Sequence, residues 1–187
     1  MIKAVWTLVL ILAATLVASA QDAPQKEAPK QALSASKAVL DSWNDVARKL
    51  TTMAEDFPED KYDFKPTPAQ RSFAEQLLHA AGANYFFTNL AKGEKPPAEE
   101  NPQRDKFKTK ADVVAFVKKS MADGAGVIQS KGDKGMSDLL LDPFSNQQVR
   151  VSDFAYSFVE HMGEHYGQLA VYYRVAGLVP PESRPKK

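Results

Sequence analysis

Four stretches of this chain repeat their apolar residues at intervals of three and four, and that spacing constrains the fold more than any other feature. The first, over residues 33–57, places Val39 and Leu40, Trp43, Val46 and Ala47, Leu50, Met53 and Phe57 on one stripe of a helix. Pro58 and the run Tyr62 to Pro68 then break it, because proline lacks an amide donor and pushes its predecessor into extended backbone. A second helix starts at Ser72-Phe73-Ala74-Glu75, a capping-box sequence, and runs to about Ala91 with Phe73, Leu77, Ala80 and Phe87 on its buried side. Residues 93–102 read as a polar linker. Thr109 with Asp112 caps a third helix carrying Val113, Val114, Phe116, Val117, Met121 and Ile128, although Gly124 and Gly126 weaken its last turns. Residues 130–150 read as a long connection anchored by Leu139-Leu140-Leu141. Ser152 or Asp153 is the expected cap of a fourth helix, along which Phe154, Phe158, Met162, Leu169, Tyr172 and Val175 recur before Gly177 and Pro180-Pro181 end it. With no convincing strand and no internal repeat, the expectation is an all-α four-helix bundle.

The composition supports an ordinary globular core, with 44% hydrophobic and 25% charged residues in a chain of 187. There is no cysteine, which excludes disulfides, Cys-ligated zinc, iron–sulfur clusters, a thiol nucleophile and a lipidated N-terminal Cys. A net charge of +1 gives no reason to expect nucleic acid or a membrane surface as partner. Residues 1–20 have the layout of a secretory signal peptide: Lys3, an apolar run from Ala4 to Val17, and the small-residue triplet Ala18-Ser19-Ala20. The run is shorter than the roughly 20 residues of a bilayer span. The expectation is cleavage after Ala20, a periplasmic or secreted protein, and no stable membrane insertion afterwards. Residues 21–33 read as a flexible linker, 34–181 as the folded domain and 182–187 as a tail.

The chain has only three histidines, and all fall within the expected helices. His161 and His165 are separated by four residues, or about 400° of helical turn, so their rings project about 40° apart and one turn removed along the axis. His79 lies midway along the second helix. An inward imidazole there can complete a trio from two facing helices, leaving coordination positions open as in catalytic divalent sites. The alternative is that the histidines merely pack and hydrogen-bond in the core. The run His161-Met162-Gly163-Glu164-His165 also reads as an inverted zincin motif with Glu164 as base. That reading needs a downstream acidic ligand, and Glu182 is the sole side-chain carboxylate after His165. Tyr166, Tyr172, Tyr173, Arg174, Asn84 and Tyr85 are pocket candidates, for which the competing reading is a tyrosine or amide in the core. No phosphate loop, nucleophile elbow or basic aromatic stripe is present.

The stretch Phe64-Lys65-Pro66-Thr67-Pro68, followed by Arg71-Ser72-Phe73-Ala74-Glu75-Gln76-Leu77-Leu78-His79, resembles the start of the second helix of DinB-like proteins. His161-Met162-Gly163-Glu164-His165-Tyr166-Gly167-Gln168-Leu169, ending in Tyr173 to Pro181, is similar to their last helix. The resemblance covers roughly residues 34–181. It implies the DinB/YfiT bundle, with a divalent ion, zinc or nickel first, held by His79, His161 and His165. The family includes bacillithiol-dependent transferases and is similar to mycothiol-dependent isomerases. A metal-dependent hydrolase or thiol transferase acting on a small molecule is therefore implied, against the alternative of a non-catalytic metal-binding or stress-related bundle. Many members have Arg after the last ligand, where this chain has Tyr166. Pairing into a homodimer is left open.

Overall fold

A computed structural model describes residues 32–99 and 101–185. The expected signal peptide and residues 21–31 of the expected linker lie outside the described residues. Four long helices form the bundle: α1 (Ala35–Asp56), α2 (Phe73–Ala91), α3 (Lys110–Met136) and α4 (Val151–Val175). Three begin at a side-chain cap. The Ser34 hydroxyl accepts from the Lys37 amide, and full capping boxes pair Ser72 with Glu75 and Thr109 with Asp112. No helix among the described residues is long and apolar enough to cross a membrane.

Three expectations need correction. Helix α3 runs on to Met136, through residues expected as a connection, because Gly132 adopts φ 57° and joins two helical segments across a kink. The kink carries Asp133 to the start of α1, where its Oδ1 accepts from the Ser36 amide at 2.9 Å. Second, Leu139–Leu141 is not a loop anchor but strand β1, paired antiparallel with β2 (Gln148–Arg150). The six-residue turn between them is held by Asp142, whose carboxylate accepts from the Phe144 amide and the Ser145 hydroxyl, with Asn146 at φ 57°. Third, α4 starts two or three residues earlier than expected, with Arg150 rather than Ser152 or Asp153 at the cap. Strand β2 feeds straight into the helix, so the Val151 amide is satisfied by the Asp138 carbonyl, and Asp153 instead pairs with Arg150 at 2.9 Å.

The order of helices follows from which ones touch. Both α1 and α2 pack on α3 and on α4, whereas α1 and α2 lie diagonally across the core. Directions can be read from side-chain partners. Ala81 and Tyr85 of α2 meet Ser120 and Asp123 of α3 in ascending order, so these neighbours run parallel. Phe87 packs on Phe154 and Phe158 while Gln76 reaches Gln168, so α2 and α4 run antiparallel. A parallel pair cannot be joined by a tight turn; residues 92–109 must travel back along a 19-residue helix, about 28 Å.

The core is aromatic at both ends. Phe57 stacks on Phe73 with centroids 3.8 Å apart, and Tyr173 meets Phe57 edge-on at 4.9 Å. The Tyr173 hydroxyl donates to the Met53 carbonyl at 2.9 Å, while burial and the neighbouring Asp56 carboxylate hold its proton on. Arg184, just beyond the helices, pairs with Asp56 through two nitrogens at 2.6 and 2.7 Å. Toward the other end, the fully buried Trp43 donates its indole N–H to the Met121 carbonyl at 2.9 Å.

Trp43 explains one glycine that weakened the helical pattern. A Cβ built at Gly124 would lie 2.0 Å from Trp43 Cζ2, whereas a Cβ at Gly126 would meet nothing within 4 Å. Gly124 is the groove that admits the indole. Gly124→Ala should therefore lower stability by about 1–3 kcal/mol through overpacking. Gly126→Ala should raise it by roughly 0.5–1 kcal/mol through helix propensity. Urea denaturation of both variants checks the pair; a stabilised Gly124→Ala beside a destabilised Gly126→Ala would assign the close approach to the wrong glycine.

Candidate metal centre

On α4, Phe158, His161, His165, Gln168 and Tyr172 follow one another at steps of three and four and share one face. On α2, Gln76, His79, Ala83 and Phe86 do the same. Because the helices are antiparallel, the two series face each other with histidines in the middle of both. His79 and His165 are buried, at 8% and 5% exposure, and His161 is half-buried. The rings of His161 and His165 sit 4.3 Å apart, and that of His79 sits 5.5 Å from the first and 4.8 Å from the second.

The nitrogens point inward to one another. Nε2 of His161 and Nε2 of His165 are 2.9 Å apart, and one ligand atom from each of the three rings lies within 4.8 Å of the others. Two imidazole nitrogens on a shared ion at about 2.1 Å are about 2.9–3.4 Å apart at angles of 90–109° and at most about 4.2 Å apart. The pair on α4 already meets that separation, and the trio closes with a shift of about 1.4 Å or less.

The outer ring nitrogens explain why the inner ones face each other. Nδ1 of His165 lies 2.9 Å from Gln168 Oε1, and in the tautomer that donates to this oxygen Nε2 is a bare lone pair. The Gln76 amide also meets this ring nitrogen and donates to the same Gln168 oxygen. Nδ1 of His79 lies 2.6 Å from Asn101 Oδ1 and donates to it. His161 is left in conflict. Its Nδ1 is buried without a hydrogen-bond partner among the described residues, while its Nε2 confronts another imidazole nitrogen. A single proton can settle the contact between the two Nε2 atoms, but a cation between them accepts both lone pairs. The donor set thus fits a divalent ion better than it fits a packed core.

Burial keeps the two α4 rings neutral. Burial, then the mutual repulsion of His165, His79 and Arg71, pushes the His161 imidazolium down to about 4. Burial lowers His165 as well, partly opposed by its bond to Gln168. Neutral imidazole is the form that ligates.

Other sequence candidates fall elsewhere. Glu164 is exposed, and Glu182 is tied to Arg48 at 2.6 Å, so neither completes a zincin site. Tyr173 is core, Arg174 is exposed, and Tyr166 receives Lys49 over its ring at 5.9 Å. Asn84 is fully buried and donates to Ser120 Oγ at 3.1 Å, and the Tyr85 hydroxyl donates to Asp123 at 3.0 Å. Tyr172 alone among the tyrosine candidates reaches a cavity wall beside the histidines, its hydroxyl donating to the Arg71 carbonyl at 2.6 Å. Gln76, Gln168 and Asn101 were not expected. Gln76 stands three residues before His79 and Gln168 three after His165, a helical spacing that could have marked them; nothing local marks Asn101, which arrives with the returning segment.

The fold has solved counterparts. A DinB-like protein from Bacillus cereus ATCC 10987 superposes with a TM-score of 0.65 at 18% identity, over 78% of this chain and 95% of that one. YfiT from Bacillus subtilis, described as a probable metal-dependent hydrolase with an unusual four-helix bundle topology, gives 0.62 at 14% identity over 80% and 93%. The mycothiol-dependent maleylpyruvate isomerase gives 0.59 at 12% identity, covering 72% of this chain and 60% of its own length. No curated protein matches the chain. The DinB superfamily model matches residues 42–169, most of the described helices and all three histidines, and the chain belongs to the DinB superfamily.

Proposed function

We propose that the chain is an exported, metal-dependent enzyme of the DinB superfamily in which His79, His161 and His165 hold one divalent ion, zinc or nickel first. It acts on a small molecule in the periplasm or outside the cell, as a hydrolase or a thiol transferase. The observation that carries this reading is the 2.9 Å approach of two Nε2 atoms, beside a third buried imidazole and with a ring nitrogen behind them that has no partner among the described residues. YfiT, of the same fold, is described as a probable metal-dependent hydrolase.

When bound, such an ion supplies a water or thiol made acidic enough to attack near neutral pH, as zinc does in lowering water from 15.7 to about 7. The chain's own residues do the rest. Gln168 and Asn101 fix the tautomers of His165 and His79 so that Nε2 faces the centre. Phe158, buried on α4, packs its ring edge-on against that of His161 with centroids 6.2 Å apart. A second reading, a non-catalytic metal-binding or stress-related bundle, is favoured by one observation: among the described residues, neither His161 nor His165 touches a carboxylate that could act as general base.

Elemental analysis after refolding with limiting zinc or nickel should find one ion per chain. His79→Ala should lose it, and Gln168→Ala should weaken binding by about 10- to 100-fold. Unchanged binding in Gln168→Ala would remove the tautomer argument. A screen of ester, amide and thiol-conjugation substrates should give turnover by the loaded protein that disappears in His161→Ala; equal rates in the two would leave the binding-only reading.

The pH dependence carries a definite sign. The His161 imidazole titrates lower when folded (about 4) than when unfolded (about 6.5), so the unfolded chain takes up protons first. The stability this neutral ring confers on the metal-free protein is complete above pH 6.5 and is lost as pH falls toward 4. Urea midpoints measured across that window should drop in the native chain and drop less in His161→Phe.

A further inference from the structure

We propose that the furrow between α2 and α4 selects an amphiphilic small molecule, with a carboxylate at the Arg71 end and an apolar group at the Phe144 end. The bond acted on lies between them, at the histidines. The proposal rests on the reading of the three histidines as the reactive centre and names the substrate class that centre would take.

Two cavities along the line where α2 meets α4 differ in polarity. From Phe158 to Tyr172 the facing residues of α4 span 14 positions, about 21 Å of helix. At one end, a cleft of about 520 Å³ is bounded by Arg71, Gln76, Gln168 and Tyr172, and no carboxylate lines it. Its two glutamines are the groups that touch His165. At the other end a cavity of about 220 Å³ lies between Phe86, Phe144 and Phe158, with His161 in its wall.

Arg71 is the charge placed to receive an anion. The nearby cations are neutralised, Lys65 by Glu75 at 3.3 Å and Arg104 by Asp63 at 2.9 Å. The Arg71 guanidinium pairs with no carboxylate among the described residues. It reaches only Asn101 Oδ1 at 3.4 Å, the same oxygen that receives the His79 proton. Its backbone is fixed by the Tyr172 hydroxyl and by the Ser72 cap that follows. The α2 amides at this end are already used, by Glu75, Phe64 and Tyr62, so the guanidinium itself must meet the anion. A ligand set of neutral imidazoles cancels none of an ion's positive charge, which favours an anionic partner beside it.

The apolar end is built rather than incidental. Phe144 is 69% exposed, yet the hydrogen-bonded Asp142 turn holds its ring 5.7 Å from that of Phe86. An exposed aromatic fixed over a cavity that has a histidine in its wall forms a place for a chain or ring to lie.

Calorimetric titration of the full chain, zinc-loaded and metal-free, tests this with three probes: 8-phenyloctanoate, 8-phenyloctan-1-ol and propionate. The acid should bind at least about 10-fold more tightly than the alcohol, the value of one charge-assisted pair, and more tightly than propionate. Arg71→Gln should erase the preference for acid over alcohol, Arg71→Lys should keep part of it, and Phe144→Ser should weaken phenyloctanoate several-fold while leaving propionate unchanged. Equal binding of acid and alcohol, or a preference that survives Arg71→Gln, would overturn the proposal. A chain that takes up no zinc would sink the metal reading alone, because the preferences of the metal-free furrow still decide this one.

Discussion

Two neighbouring helices that run the same way set the terms for everything else in this molecule. Because α2 and α3 are parallel, the chain between them must retrace the bundle, and the returning segment passes the middle of α2. There it delivers Asn101 to His79. The same arrangement leaves α2 and α4 antiparallel and in contact, so that one histidine of the first stands opposite two of the second. A simple up-and-down bundle of the same helices would need no return segment, and His79 would lose that partner.

Burying three imidazoles is unfavourable unless their nitrogens are paired. Two are supported from behind by amide oxygens, and all three turn their remaining nitrogens toward one small volume. The amides of Gln168 and Asn101 accept without carrying charge, so they orient the rings without drawing protons onto them. Carboxylates in the same places would raise the imidazole proton affinity and favour the form that cannot ligate. The apolar mass around this cluster, from the Phe57–Phe73 stack to Trp43, supplies the stability that an unstapled chain without cysteine requires.

Much of this was written locally in the chain. The caps at Ser72 and Thr109 were legible because a capping box is a contact between residues three apart, and the helices followed from stripes whose period is a property of the backbone. The meeting of His161 and His165 was legible for the same reason. The β1–β2 hairpin was not, since three leucines in a row carry no alternation and only pairing with Gln148–Arg150 makes them a strand. The extension of α3 was hidden behind Gly132, a residue that normally ends helices. Gly124 misled in the opposite sense: it looked like a weak point, and it is the seat of Trp43. Asn101 was illegible altogether, because its role depends on the direction of two helices distant from it in sequence.

The placement of Trp43 has an optical consequence. Of the two tryptophans in the chain it is the one within the described residues, and any form lacking residues 1–20 retains it alone. Its indole is wholly buried and bonded to the Met121 carbonyl at the α1–α3 seam, on a different helix pair from the one that carries the histidines. Its emission is therefore a built-in gauge of that seam. A red shift signals separation of α1 from α3, and because the ring also lies 5.4 Å from that of Phe87 on α2, loss of that contact registers in the same signal.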